Sequence, residues 1–417
     1  MTLSTPQGAA VKARSAFPTA SLLAAALLAA GLLTACTETP VSTPVIEVDA
    51  DVALADQPIV IRVSDLAPSE EVEIAAEAVD YLEETWRSQA TFVADDTGVV
   101  DLTRDAPIAG SYEGVDGMGL FWSINMVDNP DEESFFRLPY PEVARDYEVR
   151  LIVSTRGGSA ERVLRRGWLA EGVTHRHLDV GTDGVTGDLY MPPDADGANP
   201  AGVLLIGGSE GGHGPKFAAA LLASRGYPAL AVSYFALPGL PDQLRDIPLE
   251  YFAKAAELLP GPVHVIGYSR GSEPAQLLPA LYPDLVRSAV LYVPTDQIYA
   301  SYPDVTGNAW TYKGSPQLEI PYERIDVPVL ALTGAMDVLW PSAEAVRSIE
   351  RQTGGRAFVY ERAGHAMSGL PYIPAATTVT HPVSGQVLLF GGTRAGDAAA
   401  RHQAWHEVLA FLESAQA

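Results

Sequence analysis

Val263-His-Val-Ile-Gly-Tyr-Ser-Arg-Gly-Ser-Glu273 combines three features in one run: an apolar strand, a Gly-x-Ser-x-Gly motif directly after it, and the start of a helical segment. The strand has to turn into a helix within a few residues, and Gly267 and Gly271 leave room for that turn beside Ser269. The serine is then held in a strained backbone conformation with its hydroxyl exposed. The stretch therefore predicts a nucleophile elbow with Ser269 as the nucleophile.

A second match to the motif, Gly207-Gly-Ser-Glu-Gly211, also follows a strand, so Ser209 competes with Ser269. In an α/β hydrolase an oxyanion loop follows one strand, another strand and a helix come next, and the nucleophile follows the strand after that. Ser209 stands where the oxyanion loop belongs, and Ala229–Ser233 is the intervening strand. This order along the chain favours Ser269.

The oxyanion hole is expected to take one backbone N–H from Arg270, because the amide after the nucleophile points at the developing negative charge. The second N–H is expected from the loop Gly207–Gly212, either from Ser209 or from Glu210. Glycines there let the backbone approach a substrate, although they also suit an ordinary tight turn between a strand and a helix.

A serine hydroxyl needs a base beside it, and the base needs an orienting carboxylate. His365 and Asp337 both lie in loops that follow strands, and with Ser269 they keep the chain order Ser, acid, His. Because the carboxyl ends of parallel strands converge on one crevice, we expect these side chains to meet there. The loop alternatives are His213 and His381 for the base, with Asp296 for the acid. The other histidines considered fall within a strand or the last helix: His264, His402 and His406.

The pattern of strands and helices predicts two domains. Residues 45–170 contain short β-type runs separated by turn residues, which suggests an all-β sandwich of immunoglobulin-like size. Residues 171–417 alternate apolar strands with helices, which is typical of an α/β-hydrolase domain with a mostly parallel sheet covered on both faces. The runs predicted as strands of the sandwich are Val45–Val48, Ile59–Val63, Val72–Ala76, Thr91–Val93, Gly119–Met126 and Tyr147–Ser154. The helices predicted in the second domain are Pro215–Ser224, Pro241–Leu259, Glu273–Leu281, Ser342–Arg351 and Asp397–Glu413.

Residues 1–35 have the pattern of an export signal, with Lys12 and Arg14 before an apolar run that is too short to span a bilayer comfortably. The run ends in Leu33-Thr-Ala-Cys36, which resembles the lipobox of bacterial lipoproteins, where the cysteine sulfur receives a diacylglycerol. Alternatives are a conventional signal with an incidental cysteine and an uncleaved anchor. We expect an exported protein held at the bacterial cell envelope by a lipid on Cys36, with residues 36–44 as a tether.

Charge and composition exclude several other functions. The chain has 417 residues with 52 Asp plus Glu against 27 Lys plus Arg, and the net charge of -25 argues against nucleic acid as a partner. The only cysteine lies in the lipobox, the histidines lack zinc spacing, and there is no Walker lysine. We therefore expect no metal and no cofactor.

Several motifs resemble the family of acyl-CoA thioesterases and bile acid-CoA:amino acid N-acyltransferases. The stretch Gly110-Ser-Tyr-Glu-Gly-Val-Asp-Gly-Met-Gly-Leu-Phe-Trp-Ser123 is similar to that family's signature in the first domain. Further similar stretches lie in the second domain: Leu204–Gly212, Leu222–Tyr227, Leu249–Phe252, the elbow, Gly391–Thr393 and Trp405–Leu412.

The resemblance implies a sandwich domain before an α/β-hydrolase domain, and a covalent acyl-enzyme made by Ser269 with His365 and Asp337. The implied partner is a small-molecule acyl thioester, or a carboxylic ester, that is hydrolysed by water. Members of the family with cysteine at the elbow can pass the acyl group to an amino acid, and this chain has serine there. Alternatives are a noncatalytic binding lipoprotein on the same scaffold and a dienelactone-type hydrolase or peptidase. The loop Tyr299–Glu323 is either a lid or pocket wall, or a packed surface excursion.

Overall fold

A computed structural model describes residues 43–127, 136–193, 201–211, 215–374 and 376–416. The proposed export signal, Cys36, most of the tether and His213 lie outside these ranges, so those predictions stay predictions. No helix within the described ranges has the length and the apolar character needed to cross a membrane.

The first half of the described chain forms two β-sheets. Its elements are β1 (Val45–Val48), β2 (Val52–Leu54), β3 (Ile61–Ser64), β4 (Glu71–Val79), β5 (Thr85–Val93), β6 (Val100–Asp101), β7 (Ala109–Gly110), α1 (Gly119–Trp122), β8 (Asn125–Met126), β9 (Asp146–Thr155) and β10 (Gly158–Gly167). One sheet has the order β1-β3-β6, and the other has the order β2-β10-β9-β4-β5-β7 with β8 also paired to β5.

Alternation of side chains along the strands builds the core between these sheets. In β5 the side chains of Trp86, Ser88, Ala90 and Phe92 are buried while their neighbours face outward, the period of two that a strand imposes. Residues from both sheets join one apolar cluster, which makes the pair a sandwich.

The second half of the chain contains a large mixed sheet and several short strands. Its strands are β11 (Thr174–Leu178), β12 (Thr186–Met191), β13 (Val203–Ile206), β14 (Ala229–Ser233), β15 (Ile247–Pro248), β16 (Val263–Tyr268), β17 (Val286–Tyr292), β18 (Trp310–Tyr312), β19 (Ser315–Pro316), β20 (Val329–Gly334), β21 (Arg356–Tyr360), β22 (Thr378–Thr380) and β23 (Val387–Leu389). Its α-helices are α2 (Lys216–Ala223), α3 (Leu249–Ala256), α4 (Ser272–Leu281), α5 (Ser342–Thr353) and α6 (Arg394–Ser414). Short 3-10 turns occupy Ser269–Gly271, Tyr322–Arg324 and His365–Ser368.

The large sheet has the order β11-β12-β14-β13-β16-β17-β20-β21. Strands β11 and β12 pair antiparallel, β12 is antiparallel to β14, and every pairing from β14 to β21 is parallel. Val203 and Leu205 of β13 face a core that includes α2, α6 and the sandwich, whereas Leu204 and Ile206 face the core with α3, α4 and α5. Helices therefore cover both faces, and the predicted α/β-hydrolase fold is confirmed.

Two elements predicted from the sequence are wrong. The run Gly119–Met126 is not one strand, because α1 occupies its first half and only Asn125–Met126 is extended. Asp116 causes the helical turn, since its carboxylate accepts from the N–H of Met118 at 2.9 Å and from the Trp122 indole at 2.8 Å.

The predicted helix Pro241–Leu259 is shorter in the structure, where α3 begins at Leu249. Pro248 is extended and lies in the two-residue strand β15, which pairs with β18, and Leu244 forms an isolated bridge with Tyr302, so the chain before Leu249 is not helical.

Candidate active site

The elbow forms where β16 ends. Ser269 has a φ of 52°, in the left-handed region that costs energy for a residue with a side chain. A Cβ added to Gly267 would lie 2.6 Å from Cβ of Ala275, and one added to Gly271 would collide with the carbonyls of Ile206 and Gly207. Glycine at both positions is therefore required for β16 to turn tightly into α4 while Ser269 stays partly exposed.

The structure brings Ser269, His365 and Asp337 together. His365 Nε2 lies 3.0 Å from Oγ of Ser269, and His365 Nδ1 lies 2.8 Å from Oδ2 of Asp337. A carboxylate only accepts hydrogen bonds, so Nδ1 carries the proton and Nε2 offers its lone pair to the serine hydroxyl. The side chains of His365 and Asp337 are 6% and 1% exposed, which keeps water from competing for these bonds.

Both members of the His–Asp pair are held by further contacts. Asp337 accepts hydrogen bonds from Oγ of Ser342 at 2.6 Å and from the N–H of Leu339 at 2.9 Å. The His365 ring stands edge-on to Trp340 at 5.5 Å and lies 5.3 Å from the ring of Phe390. The imidazole is thus fixed on two sides, as a positioned base requires.

The first turns of α6 support the loop of His365, and this was not foreseen from the sequence. Asp397 is fully buried and accepts from the N–H of Gly364 at 2.8 Å, next to His365. Burial raises the pKa of Asp397 to about 6. Arg401 donates to the carbonyl of Ala366 at 2.8 Å. The sequence around Asp397 carries no signal for this contact, because the burial of its carboxylate is seen only in the structure.

The rival pair, Ser209 and His381, is also within hydrogen-bond distance, but the roles of the two ring nitrogens are reversed. His381 Nε2 lies 3.0 Å from Oγ of Ser209. Its Nδ1 accepts from the N–H groups of Val383 and Ser384 at 3.3 and 3.2 Å. With Nδ1 accepting, Nε2 carries the proton and donates to the serine, so His381 cannot take a proton from Ser209.

The loop that carries Ser209 runs beside the elbow. A Cβ added to Gly208 would lie 3.0 Å from Cβ of Ser269, so the backbone of this loop adjoins the candidate nucleophile Ser269. The Tyr234 hydroxyl bonds to the carbonyls of Gly207 and Gly208 at 2.9 and 2.6 Å and holds the loop in place. The Glu210 carboxylate turns back and accepts from the N–H of Gly208 at 3.0 Å.

The remaining candidates serve other contacts. His264 is fully buried, lies 2.8 Å from Oγ of Ser288, and has its pKa lowered to about 4 by burial. His402 bonds to the Tyr372 hydroxyl at 2.7 Å. Nδ1 of His365 is bonded to Asp337 and not to Asp296. Among the described residues, no cluster of three or more His, Cys, Asp or Glu side chains could hold a metal ion.

A cleft of about 500 Å³ adjoins the loop on its other side, where Gly211 lies against Ala236 and Val383. The residues that line the cleft are mostly apolar, with one carboxylate: Ala236, Leu237, Pro238, Gly239, Leu240, Asp242, Pro382 and Val383.

Comparison with known proteins gives family matches in both halves of the chain. Residues 56–180 match the acyl-CoA thioester hydrolase/BAAT N-terminal region, and residues 295–417 match the BAAT/acyl-CoA thioester hydrolase C-terminal region. Among solved structures, a putative dienelactone hydrolase from Klebsiella pneumoniae is similar with a TM-score of 0.39 and 17% identity, over 58% of this chain and 98% of that one.

Similarity to individual relatives extends over nearly their whole length. Acyl-coenzyme A thioesterase 6 of Mus musculus is 29% identical over 86% of this chain and 93% of its own. Acyl-coenzyme A amino acid N-acyltransferase 1 of Mus musculus is 30% identical over 86% of this chain and 95% of its own. The chain belongs to the acyl-CoA thioester hydrolase/BAAT family.

Proposed function

We propose that the protein is a serine hydrolase that cleaves an acyl thioester, or a carboxylic ester, through an acyl-enzyme on Ser269. The observation that carries the proposal is the unbroken chain of hydrogen bonds from Ser269 through His365 to Asp337, at 3.0 and 2.8 Å. Relatives named as acyl-coenzyme A thioesterases support the choice of a thioester.

In the proposed reaction His365 Nε2 takes the proton of Ser269 as its oxygen attacks the acyl carbonyl carbon. Asp337 stabilises the imidazolium, and the backbone N–H of Arg270, with one from Ser209 or Glu210, holds the oxyanion. His365 returns the proton to the departing thiolate or alkoxide. Water, deprotonated by His365, then attacks the acyl carbonyl carbon of the acyl-enzyme; the ester bond to Ser269 breaks, His365 returns the proton to the serine oxygen, and the acid leaves.

Water is the proposed acyl acceptor, and an amino acid is not. Ser269 stands at the elbow, and the oxygen ester that it forms is less reactive toward amines than the thioester of a cysteine elbow. Because some relatives are named as amino acid N-acyltransferases, the experiment has to distinguish hydrolysis from transfer of the acyl group to an amino acid.

The test is product analysis with an acyl-CoA and a matched carboxylic ester, each with and without glycine or taurine. We expect free acid as the product, no acyl-amino acid, and loss of turnover in Ser269→Ala with an unchanged circular dichroism spectrum. Acyl-glycine or acyl-taurine as the main product would overturn the hydrolase assignment, and normal turnover by Ser269→Ala would overturn the mechanism.

We further propose that the protein is exported and carries a lipid on Cys36, on the strength of the lipobox-like Leu33-Thr-Ala-Cys36 and the absence of any other cysteine from the sequence. Expression in a bacterial host with a radiolabelled fatty acid should label the wild type and not Cys36→Ala. Equal labelling of the two would refute lipidation at this cysteine.

A further inference from the structure

The nucleophile helix carries a row of buried polar side chains that the proposed reaction does not use. Arg270, Glu273 and Gln276 are spaced by three residues and therefore share one face of the elbow and α4. They are 6%, 0% and 2% exposed. A buried charged side chain is stable only when an ion pair or hydrogen bonds satisfy it. The groups bonded to these three side chains therefore show which part of the structure they hold.

Arg270 and Glu273 form an ion pair with 2.8 Å between Nε and Oε1. Arg270 Nη2 also donates to the carbonyls of Tyr299 and Ala300 at 3.1 and 2.9 Å. Glu273 accepts from the Trp310 indole at 2.5 Å. Both side chains therefore bind the segment between β17 and β20, residues 293–328, which leaves the large sheet. This segment is called the excursion.

Gln276 binds both ends of the same excursion. Its Nε2 donates to the carbonyl of Thr295 at 3.0 Å, and its Oε1 accepts from the Tyr322 hydroxyl at 2.9 Å. The excursion is thus fastened to the nucleophile helix at its start, its middle and its end. These bonds make it a packed excursion and remove the alternative of a freely moving lid.

The excursion also contacts the proposed catalytic histidine, His365, through Trp340. The Tyr299 ring stacks on Trp340 at 5.5 Å with 16° between the planes. Trp340 donates to the carbonyl of Val293 at 3.0 Å and stands edge-on to the His365 ring at 5.5 Å. A continuous set of contacts therefore runs from the residue after Ser269, through Tyr299 and Trp340, to the imidazole.

We propose that Glu273 and Arg270 are positioning residues for the triad: they clamp the excursion to α4 so that Tyr299 braces Trp340 against His365. This inference rests on the proposed function, because it assigns the clamp to the same Ser269 and His365. Misplacing a base by about 1 Å is enough to cost roughly a hundredfold in rate.

The test compares Glu273→Gln with Asp56→Asn. Asp56 is a matched control, because it too is a buried carboxylate that holds an indole and a guanidinium, those of Trp405 at 2.6 Å and Arg225 at 2.7 Å. It joins the turn after β2 to α6 and to the turn after α2, on the sandwich side of the molecule. Both variants should unfold at lower temperature than the wild type.

We expect Glu273→Gln to lower kcat for a short-chain ester by about tenfold to a hundredfold per folded molecule, with KM changed by less than about threefold. The rate of Ser269 labelling by a small fluorophosphonate should fall by the same factor, since that reagent reports activation of the serine without acyl recognition. Asp56→Asn should keep both rates. Wild-type kcat and labelling rate in folded Glu273→Gln would overturn the inference.

Tyr299→Leu provides a second variant that does not depend on a buried charge, because Tyr299 is 37% exposed. It should lower kcat and the labelling rate, and Tyr299→Phe, which keeps the stacked ring, should recover much of the loss. If turnover by the wild type does not need Ser269, the proposed function fails. If it does need Ser269 while Glu273→Gln and Tyr299→Leu match the wild type, only the clamp fails.

Discussion

Ser269 and Ser209 each have a histidine Nε2 at 3.0 Å, and only the other ring nitrogen tells the two pairs apart. Asp337 accepts from Nδ1 of His365, which leaves Nε2 as a base. Backbone N–H groups donate to Nδ1 of His381, which makes Nε2 a donor. The orienting partner therefore decides the chemistry of each serine, while distance to the histidine does not.

Asp337→Asn tests that argument. An amide can donate to Nδ1 of His365, which would place the proton on Nε2 and remove the base from Ser269. We expect kcat to fall by about three to four orders of magnitude with the fold retained, measured by steady-state hydrolysis of a chromogenic ester. Asp296→Asn is the control, and a loss confined to that variant would move the acid to Asp296.

At the scale of elements, the site depends on how closely two loops approach. The elbow after β16 and the loop after β13 touch through glycines, because the carbonyls of Ile206 and Gly207 occupy the space that a Cβ on Gly271 would need. The parallel pairing of β13 with β16 sets this approach and brings the backbone of the loop that carries Ser209 and Glu210 beside the elbow.

Gly271→Ala should separate the two loops. We expect the free energy of unfolding to fall by about 1 to 3 kcal/mol. We expect kcat to fall by about a hundredfold or more, since the proposed oxyanion donors move away from Ser269. Gly354→Ala is the control: its φ of 67° strains an alanine, but nothing lies within 4 Å of the added Cβ. Equal kcat in the two variants, measured with the same ester, would contradict this account.

The elements that could be predicted from the sequence are those with a strong local signal. The strand predicted at Ala229–Ser233 is an almost continuous apolar run, and its bounds agree with the structure. The antiparallel strands β10, β11 and β12 were missed. In β10 Arg165 faces outward and Arg166 is buried, so charged residues stand on both faces and hide the alternation until the partners β2 and β9 are known.

The site was predictable where the chemistry is local to a motif, as at Ser269, or follows chain order, as for His365 and Asp337. The supports were not, because they come from distant segments. Asp397 reaches Gly364 from α6, and Trp310 reaches Glu273 from a separate short strand. Nothing near these residues in sequence indicates that they meet.

At the scale of the whole molecule, the sandwich and the hydrolase sheet share one apolar core. Trp168, which follows β10, lies 4.5 Å from the ring of Phe217 in α2, and Lys216 beside it pairs with Glu142 at 2.6 Å. The Lys216 ammonium also pairs with Asp188 at 2.9 Å. Although burial opposes it, hydrogen bonds from His175 and Lys216 hold the pKa of Asp188 well below its usual range.

Buried ionisable groups also couple global stability to pH. Because burial raises the pKa of Asp397 to about 6, the folded state binds a proton more tightly than the unfolded chain, whose aspartate titrates near 3.9. The contribution of Asp397 to stability therefore falls as pH rises between about 4 and 6. Burial lowers the pKa of His264 to about 4, so the contribution of His264 to stability rises with pH. The effect of Asp397 is therefore measured by comparing a variant at that position with the wild type.

Asp397→Asn keeps an acceptor for the Gly364 N–H and removes the titration. We expect its free energy of unfolding, relative to the wild type, to rise by about 2 kcal/mol between pH 4.5 and pH 7.5 in urea denaturation. A difference that is constant over this range would show that Asp397 titrates alike in the folded and unfolded states.

Whether Ser269 is an activated nucleophile is measured by covalent labelling with a fluorophosphonate, followed by determination of the intact mass. We predict that the wild type and Ser209→Ala each gain one adduct, that proteolysis places it on the peptide containing Ser269, and that Ser269→Ala gains none. Undiminished labelling of Ser269→Ala, or loss of labelling in Ser209→Ala alone, would contradict the account.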